Sequence, residues 1–389
     1  IDVVVEGDGV RFARALAGSL GGRVSAHPKF GTAVVSCSLT ALGEGDASQG
    51  EVKIDVASTR LEFYTRPAAL PEVVGSTLKQ DLYRRDFTIN AMAIRLDPTG
   101  YGNLVDFFGA RRDLSEGVVR VLHPLSFIDD PTRIFRAIKF EQRYHFRMDP
   151  HTERLLRQAV HSRLLEALSP ARVRDEFQQI LSEARPVPAI ARMAELGVLR
   201  LVHPSLQVNT RVRELLDGIT SVLSRYAELV ERERVKRWVV YFRGLASGLD
   251  AHELHAVSER YVVGEDARRR LFLERDHVRH LMRRLYRRLL LPSETFRLLS
   301  PLSLEMVLYM LARARARSVK ERIVLYLERL RGTRPIVSGG DLLSWGYVAG
   351  PELGRLLATL HDAQLDGKIH DLEEARAWLE EKDIVASWT

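Results

Sequence analysis

SFIDDPTRIFRAIK, residues 126–139, reads as a helix with a defined start. Asp129 and Asp130 fall in or before the first turn, where carboxylates suit the exposed N–H groups and the positive end of the helix dipole. Pro131 suits that turn because its missing N–H is not needed there. Asp130, Arg133, Arg136 and Lys139 then recur at a spacing of three, on neighbouring points of one helical face. The spacing predicts a shallow stripe of one carboxylate and three cations, with Ile134, Phe135, Ile138 and Phe140 turned to a core.

A carboxylate one turn from an arginine can read a nucleobase. Asp accepts from an exocyclic amino group, and Arg donates to a ring nitrogen or carbonyl oxygen. Adenine and cytosine both present an amino donor beside a ring acceptor. Guanine and uracil present the reverse pattern and would leave groups unpaired. Taken alone, the stretch is equally a capped helix with a surface ion pair.

Upstream lies LKQDLYRRDFTINAMAI, Leu78 to Ile94. Together with DDPTRIFRAIKF, residues 129–140, it resembles the class II tRNA nucleotidyltransferases (CCA-adding and A-adding enzymes) and the bacterial poly(A) polymerases. Asp129 stands where that family usually has Glu, and Lys139 where it usually has Arg, keeping the charge but not the fork. The resemblance implies that Arg84 and Arg85 meet the triphosphate and that Asp86 and Asn90 lie near the ribose. Asp130 and Arg133 would select the base, with Arg136 and Lys139 completing the nucleotide site. Asp106–Leu114, DFFGARRDL, is similar to the turn that closes the family's catalytic domain. Arg172 and Glu176, one turn apart, resemble an Arg/Glu element that braces the base-reading helix.

IDVVVEGDG, residues 1–9, reads as a strand ending in a tight turn. The family's strand here carries Asp-x-Asp, and Asp2 matches its second Asp. The first, and the glycine-rich loop with its triphosphate arginine, would fall ahead of Ile1. Two carboxylates two apart on a strand share a face and can hold divalent ions. The resemblance thus implies two Mg²⁺ ions, a metal half that this sequence holds only in part through Asp2, and a segment upstream of Ile1. Asp55, on a strand spanning Glu51–Leu61, is a further candidate catalytic carboxylate or a plain polar strand position.

Elsewhere, residues 11–20 read as an amphipathic helix ended by Gly21-Gly22, followed by a strand pair over 24–27 and 32–39. Ala41–Gly50 reads as a turn and Tyr64–Thr77 as a loop. From about Leu122 the chain reads as helical almost throughout. Arg268–Leu290 is a basic amphipathic helix with nine arginines and an apolar stripe of Leu271, Val278, Met282, Leu285 and Leu289. Its Arg279, Arg283 and Arg287 are candidate RNA contacts, as against a plain solvated face. His277 and His280 lack partners for a metal site. Residues 337–380 resemble the family's C-terminal module.

The 389 residues carry a net charge of +7 and a pI near 9.6, which suit a polyanionic partner. The single Cys37 allows no internal disulfide and fits a reducing, cytoplasmic compartment. No apolar run is long enough to span a membrane. The expected architecture is α+β: a mixed α/β head over 1–117, then an all-α neck over 118–185, body over 186–335 and tail over 336–389. The implied activity is addition of C and/or A, from CTP or ATP, to the 3′ end of tRNA. A poly(A) polymerase, or a tRNA-binding module inactive without the upstream segment, are the alternatives.

Overall fold

The computed structural model describes residues 1–38, 50–63, 72–261 and 278–381. Two compact units emerge: Ile1–Glu183 with Pro188–Pro204, and Ala184–Val187 with Ser205–Thr389.

The first unit opens with a four-stranded sheet of order β1-β4-β3-β2, from β1 (Asp2–Val5), β2 (Arg23–His27), β3 (Thr32–Ser38) and β4 (Glu51–Ser58). β1 runs parallel to β4, and the other pairings are antiparallel. Helix α1 (Gly9–Ser19) starts at Asp8, whose side chain accepts from the Arg11 N–H at 2.9 Å. It covers one sheet face, packing Ala13 and Ala17 with Val35, Ile54 and Val56. Alternation along β4 leaves Glu51, Lys53 and Asp55 on the opposite face.

The expected single strand over Glu51–Leu61 is two. Thr59 breaks it, and β5 (Arg60–Phe63) pairs antiparallel with β6 (Glu72–Gly75). The expected loop over Tyr64–Thr77 therefore contains a strand; its residues 64–71, and the expected turn at 41–49, lie outside the described residues. Helix α2 (Leu78–Tyr83) follows, with a capping box between Thr77 and Gln80. The hairpin β7 (Met92–Ile94) and β8 (Leu104–Asp106) leads to α3 (Ala110–Glu116). Asp106 accepts from the N–H groups of Phe108, Ala110 and Arg111, which closes the DFFGA turn.

The Ser126–Lys139 stretch is not one helix. Helix α4 (Ser126–Asp129) stops, and α5 (Arg133–Arg143) begins after a break. Asp130 is extended, at φ −136° and ψ 95°, because the ring of Pro131 disfavours the helical region for the residue before it. Ile134, Phe135 and Ile138 of α5 are fully buried, each contributing roughly 1.5–3 kcal/mol through apolar area removed from water. The polar stripe is not solvated either: Arg133 and Lys139 are buried with Glu141. Further on come α6 (Pro150–His161) and α7 (Pro170–Ser182), and α7 packs on α5.

The second unit is helical. Helices Thr210–Arg225, Arg237–Leu245 and Leu304–Arg313 pack together, and Gly244 lets two of them approach, since a Cβ there would lie 2.6 Å from Ile219 Cδ1. Helices Gly339–Ser344, Pro351–Leu365 and Leu372–Glu381 close their own core around Leu342, Leu360, Ile369 and Leu379. Among the described residues no single helix is long and apolar enough to cross a membrane.

Candidate nucleotide and RNA site

An open cleft of about 500 Å³ is lined by Glu62, Arg84, Arg85, Asp86, Asn90, Asp130, Arg133, Arg136 and Phe140. Strand β5, the segment after α2, the α4–α5 break and α5 each contribute to it. Seven of the eight expected nucleotide contacts therefore converge; Lys139 is the exception.

Each charged group has a defined holder. Arg84 donates to Glu62 at 2.6 Å, to Asp81 at 2.9 Å and to the Arg60 carbonyl at 3.0 Å. Those protein acceptors occupy its fork, so it frames the cleft. Arg85 is more open, 38% exposed at the side chain, with single contacts to Asp81 at 3.3 Å and the Asn90 carbonyl at 3.5 Å. Asp86 accepts from Asn90 at 3.0 Å and from Arg136 through Nε at 2.7 Å and Nη2 at 2.6 Å. The Arg136 guanidinium also lies over the Phe140 ring, 5.4 Å from its centroid.

Asp130 and Arg133 do not pair with each other among the described residues. Asp130 Oδ1 accepts from Thr132 and from Arg172 of α7, at 2.8 Å for the latter. Arg133 is 5% exposed and donates to Ser126 Oγ at 2.8 Å and to the Arg84 carbonyl at 2.6 Å. The capped-helix and surface-pair reading thus fails, since α5 has no side-chain cap and the arginine is buried. Both groups are held by other partners while lining the same cleft, which leaves the carboxylate and the fork available side by side.

Lys139 lies behind the cleft and donates to Gln179 of α7 at 2.7 Å. Burial pushes its ammonium pKa down, against the pull of Glu176. Burial pushes the Glu176 carboxyl up, with Lys139 opposing, and one Glu176 oxygen is buried without a hydrogen bond among the described residues. Asp129 sits beside His123 with Nδ1 at 3.9 Å, and burial raises its pKa.

Asp2 and Asp55 are direct neighbours across the parallel β1/β4 pair, and both are exposed. They stand on the sheet face away from α1. Two hard carboxylate oxygens side by side fit Mg²⁺ by donor chemistry. Among the described residues no cluster of three or more His, Cys, Asp or Glu is placed to hold a metal ion, so this pair is the metal-ligating set that the described residues offer.

In the second unit, Arg279, Arg283 and Arg287 are all exposed. The expected Arg268–Leu290 helix is shorter at its end: residues 278–285 are helical and the chain then turns. Arg322 causes the stop, donating to the carbonyls of Leu285, Arg287 and Arg288. Leu289, expected in the apolar stripe, is consequently 89% exposed. Leu271 and His277 lie outside the described residues; His280 is exposed.

Sequence reasoning missed three holders. Asp81, 1% exposed, grips both Arg84 and Arg85 and the Arg60 N–H; its position one turn ahead of the arginine pair was the available signal. Glu62 and the Arg172–Asp130 contact depend on pairings far apart in the chain and leave no local signature.

The fold and the cleft define a nucleotidyltransferase head followed by helices, and comparison with known proteins gives the family. Residues 1–120 match the Poly A polymerase head domain, and residues 145–209 match the family described as a probable RNA and SrmB-binding site of polymerase A. An A-adding tRNA nucleotidyltransferase of Geobacter sulfurreducens is 42% identical over 95% of this chain and 41% of its own length. One of Halalkalibacterium halodurans is 30% identical over 96% of this chain and 82% of its own. The structure of the Thermotoga maritima CCA-adding enzyme complexed with tRNA-CCA superposes with a TM-score of 0.74 and 35% identity, covering 100% of this chain and 87% of that one. The chain belongs to the tRNA nucleotidyltransferase family. It spans about two fifths of the length of the first two curated relatives.

Proposed function

We propose that this chain adds A and/or C, from ATP or CTP, to the 3′ end of tRNA, with the protein itself reading the incoming base. One observation carries the proposal: Asp130 and Arg133 line one cleft while other residues hold them. An amino group of adenine or cytosine donates to the Asp130 carboxylate, and Arg133 donates to the neighbouring ring nitrogen. Guanine and uracil set donor against donor and acceptor against acceptor there, and lose those bonds.

Arg85 has donors to spare for the phosphates, as the more exposed arginine of its pair. Asn90 and Asp86 stand at the ribose. Asp2 and Asp55 would hold Mg²⁺, which when bound lowers the pKa of the attacking 3′-hydroxyl and stabilises the leaving pyrophosphate. The exposed Arg279, Arg283 and Arg287 would meet tRNA phosphates.

Incubation with Mg²⁺, each nucleoside triphosphate in turn and tRNA shortened at its 3′ end tests the reading. Extension by one to three residues from ATP or CTP, and not from UTP or GTP, supports it. Extension of unstructured RNA by long A tracts would instead make the chain a poly(A) polymerase. Tight tRNA binding with no addition, even when sequence ahead of Ile1 from a relative is joined on, would leave a binding module.

A further inference from the structure

A second cleft of about 500 Å³ lies on the other side of β5, and nothing above uses it. Its walls are the short 3-10 turn Pro28–Phe30, the start of β5 and the end of β6. Lys29 and Arg60 supply two cations and Phe30 a ring that is 54% exposed, while Val74 of β6 adds an apolar wall, 57% exposed. Among the described residues lining it there is no carboxylate, whereas the base-reading cleft contains three, Glu62, Asp86 and Asp130.

The cleft is firmly built. Arg60 Nη1 donates to the Phe30 carbonyl at 3.3 Å, tying β5 to the turn. Thr59, 3% exposed, donates its hydroxyl to the Ser76 carbonyl at 2.6 Å, tying β5 to the end of β6. Gly31 sits at φ +61°, and a Cβ there would meet Ser58 Oγ at 3.1 Å. Ser58 also lines the cleft, three residues along β4 from Asp55, or about 10 Å at the usual strand rise.

We infer that this cleft seats the single-stranded 3′ end of the RNA, delivering its terminal hydroxyl towards Asp2 and Asp55. The inference rests on the proposed function. An exposed ring with flanking cations and no opposing carboxylate is the chemistry that holds single-stranded nucleic acid, by stacking a base and neutralising phosphates. It lacks a fixed donor–acceptor pair such as Asp130 with Arg133, so it suits a strand that is held rather than read. The two clefts share β5, Arg60 belonging to one and Glu62 to the other, which puts primer and incoming nucleotide on either side of one strand.

The test compares a tRNA acceptor-stem minihelix carrying a 3′ CC overhang with the same helix made blunt, by fluorescence anisotropy on the full chain. The wild type should favour the overhang by about fivefold or more, the scale of one stacked base. Phe30→Ala should remove that preference while leaving the blunt helix and ATP bound as before; unchanged blunt binding shows the fold intact. Phe30→Trp should keep the preference, and Lys29→Gln should reduce it. Equal wild-type binding of both RNAs, or a preference that survives Phe30→Ala, would overturn the inference alone. A loss of ATP affinity in Lys29→Gln, with the overhang preference intact, would assign the cleft to the triphosphate and overturn it too. A wild type that binds neither RNA would overturn the functional reading together with this one.

Discussion

Arg136 grips Asp86 with two N–H groups on one oxygen, Nε at 2.7 Å and Nη2 at 2.6 Å. The carboxylate is 8% exposed and the guanidinium 35%, so this is a half-screened pair. Removing the cation alone leaves a buried charge without its partner. Arg136→Ala should therefore lower stability by about 1–3 kcal/mol, read as a fall in melting temperature. Adding Asp86→Asn to it should recover part of the loss. A melting temperature unmoved by Arg136→Ala would mean that the pair contributes nothing.

Arg172 reaches across from α7 to Asp130 at 2.8 Å. It fixes the carboxylate that faces the base without touching the base itself. Arg172→Ala should reduce the preference for ATP and CTP over UTP and GTP by roughly tenfold, the worth of one charge-assisted hydrogen bond, while tRNA affinity stays put. A loss of tRNA binding with unchanged base preference would make the contact a general brace.

Arg279, Arg283 and Arg287 stand exposed beside the end of their helix. Phosphate contacts release counterions, so log affinity falls with log salt by close to one per contact. Changing all three to Gln should flatten that slope for tRNA by about two to three. An unaltered slope would show that they face solvent in the complex.

Glu176 carries the pH dependence. Burial raises its folded pKa above the ordinary 4.5. The folded state then holds the proton to higher pH than the unfolded chain does, so stability is greatest below 4.5 and falls as pH rises through the folded value. Glu176→Gln should remove that decline, giving a flatter melting-temperature profile from pH 4.5 to neutrality. Parallel profiles for the two proteins would contradict it.

The strands of the head were legible from alternation, since Val52, Ile54 and Val56 mark one face and Lys53 and Asp55 the other. That Asp2 stands beside Asp55 was not, because parallel register is set by the intervening α1 and β2–β3 crossover. The cleft's arginines and carboxylates were legible from local spacing and resemblance. Their holders were not: Arg133 is buried against Ser126 and a distant carbonyl, and a charged residue at helical spacing reads as surface. The break at Asp130 could have been read, since a residue ahead of proline resists the helix; it frees the carboxylate to meet Arg172.

The central claim is that Asp130 and Arg133 read the base, and equilibrium binding of the four ribonucleoside triphosphates tests it most directly. ATP or CTP should bind more tightly than GTP and UTP by a factor on the order of ten to a hundred, the scale of a bidentate base contact. Asp130→Ala should bring all four together. Four equal affinities in the wild type, or a preference that persists in Asp130→Ala, would contradict the account.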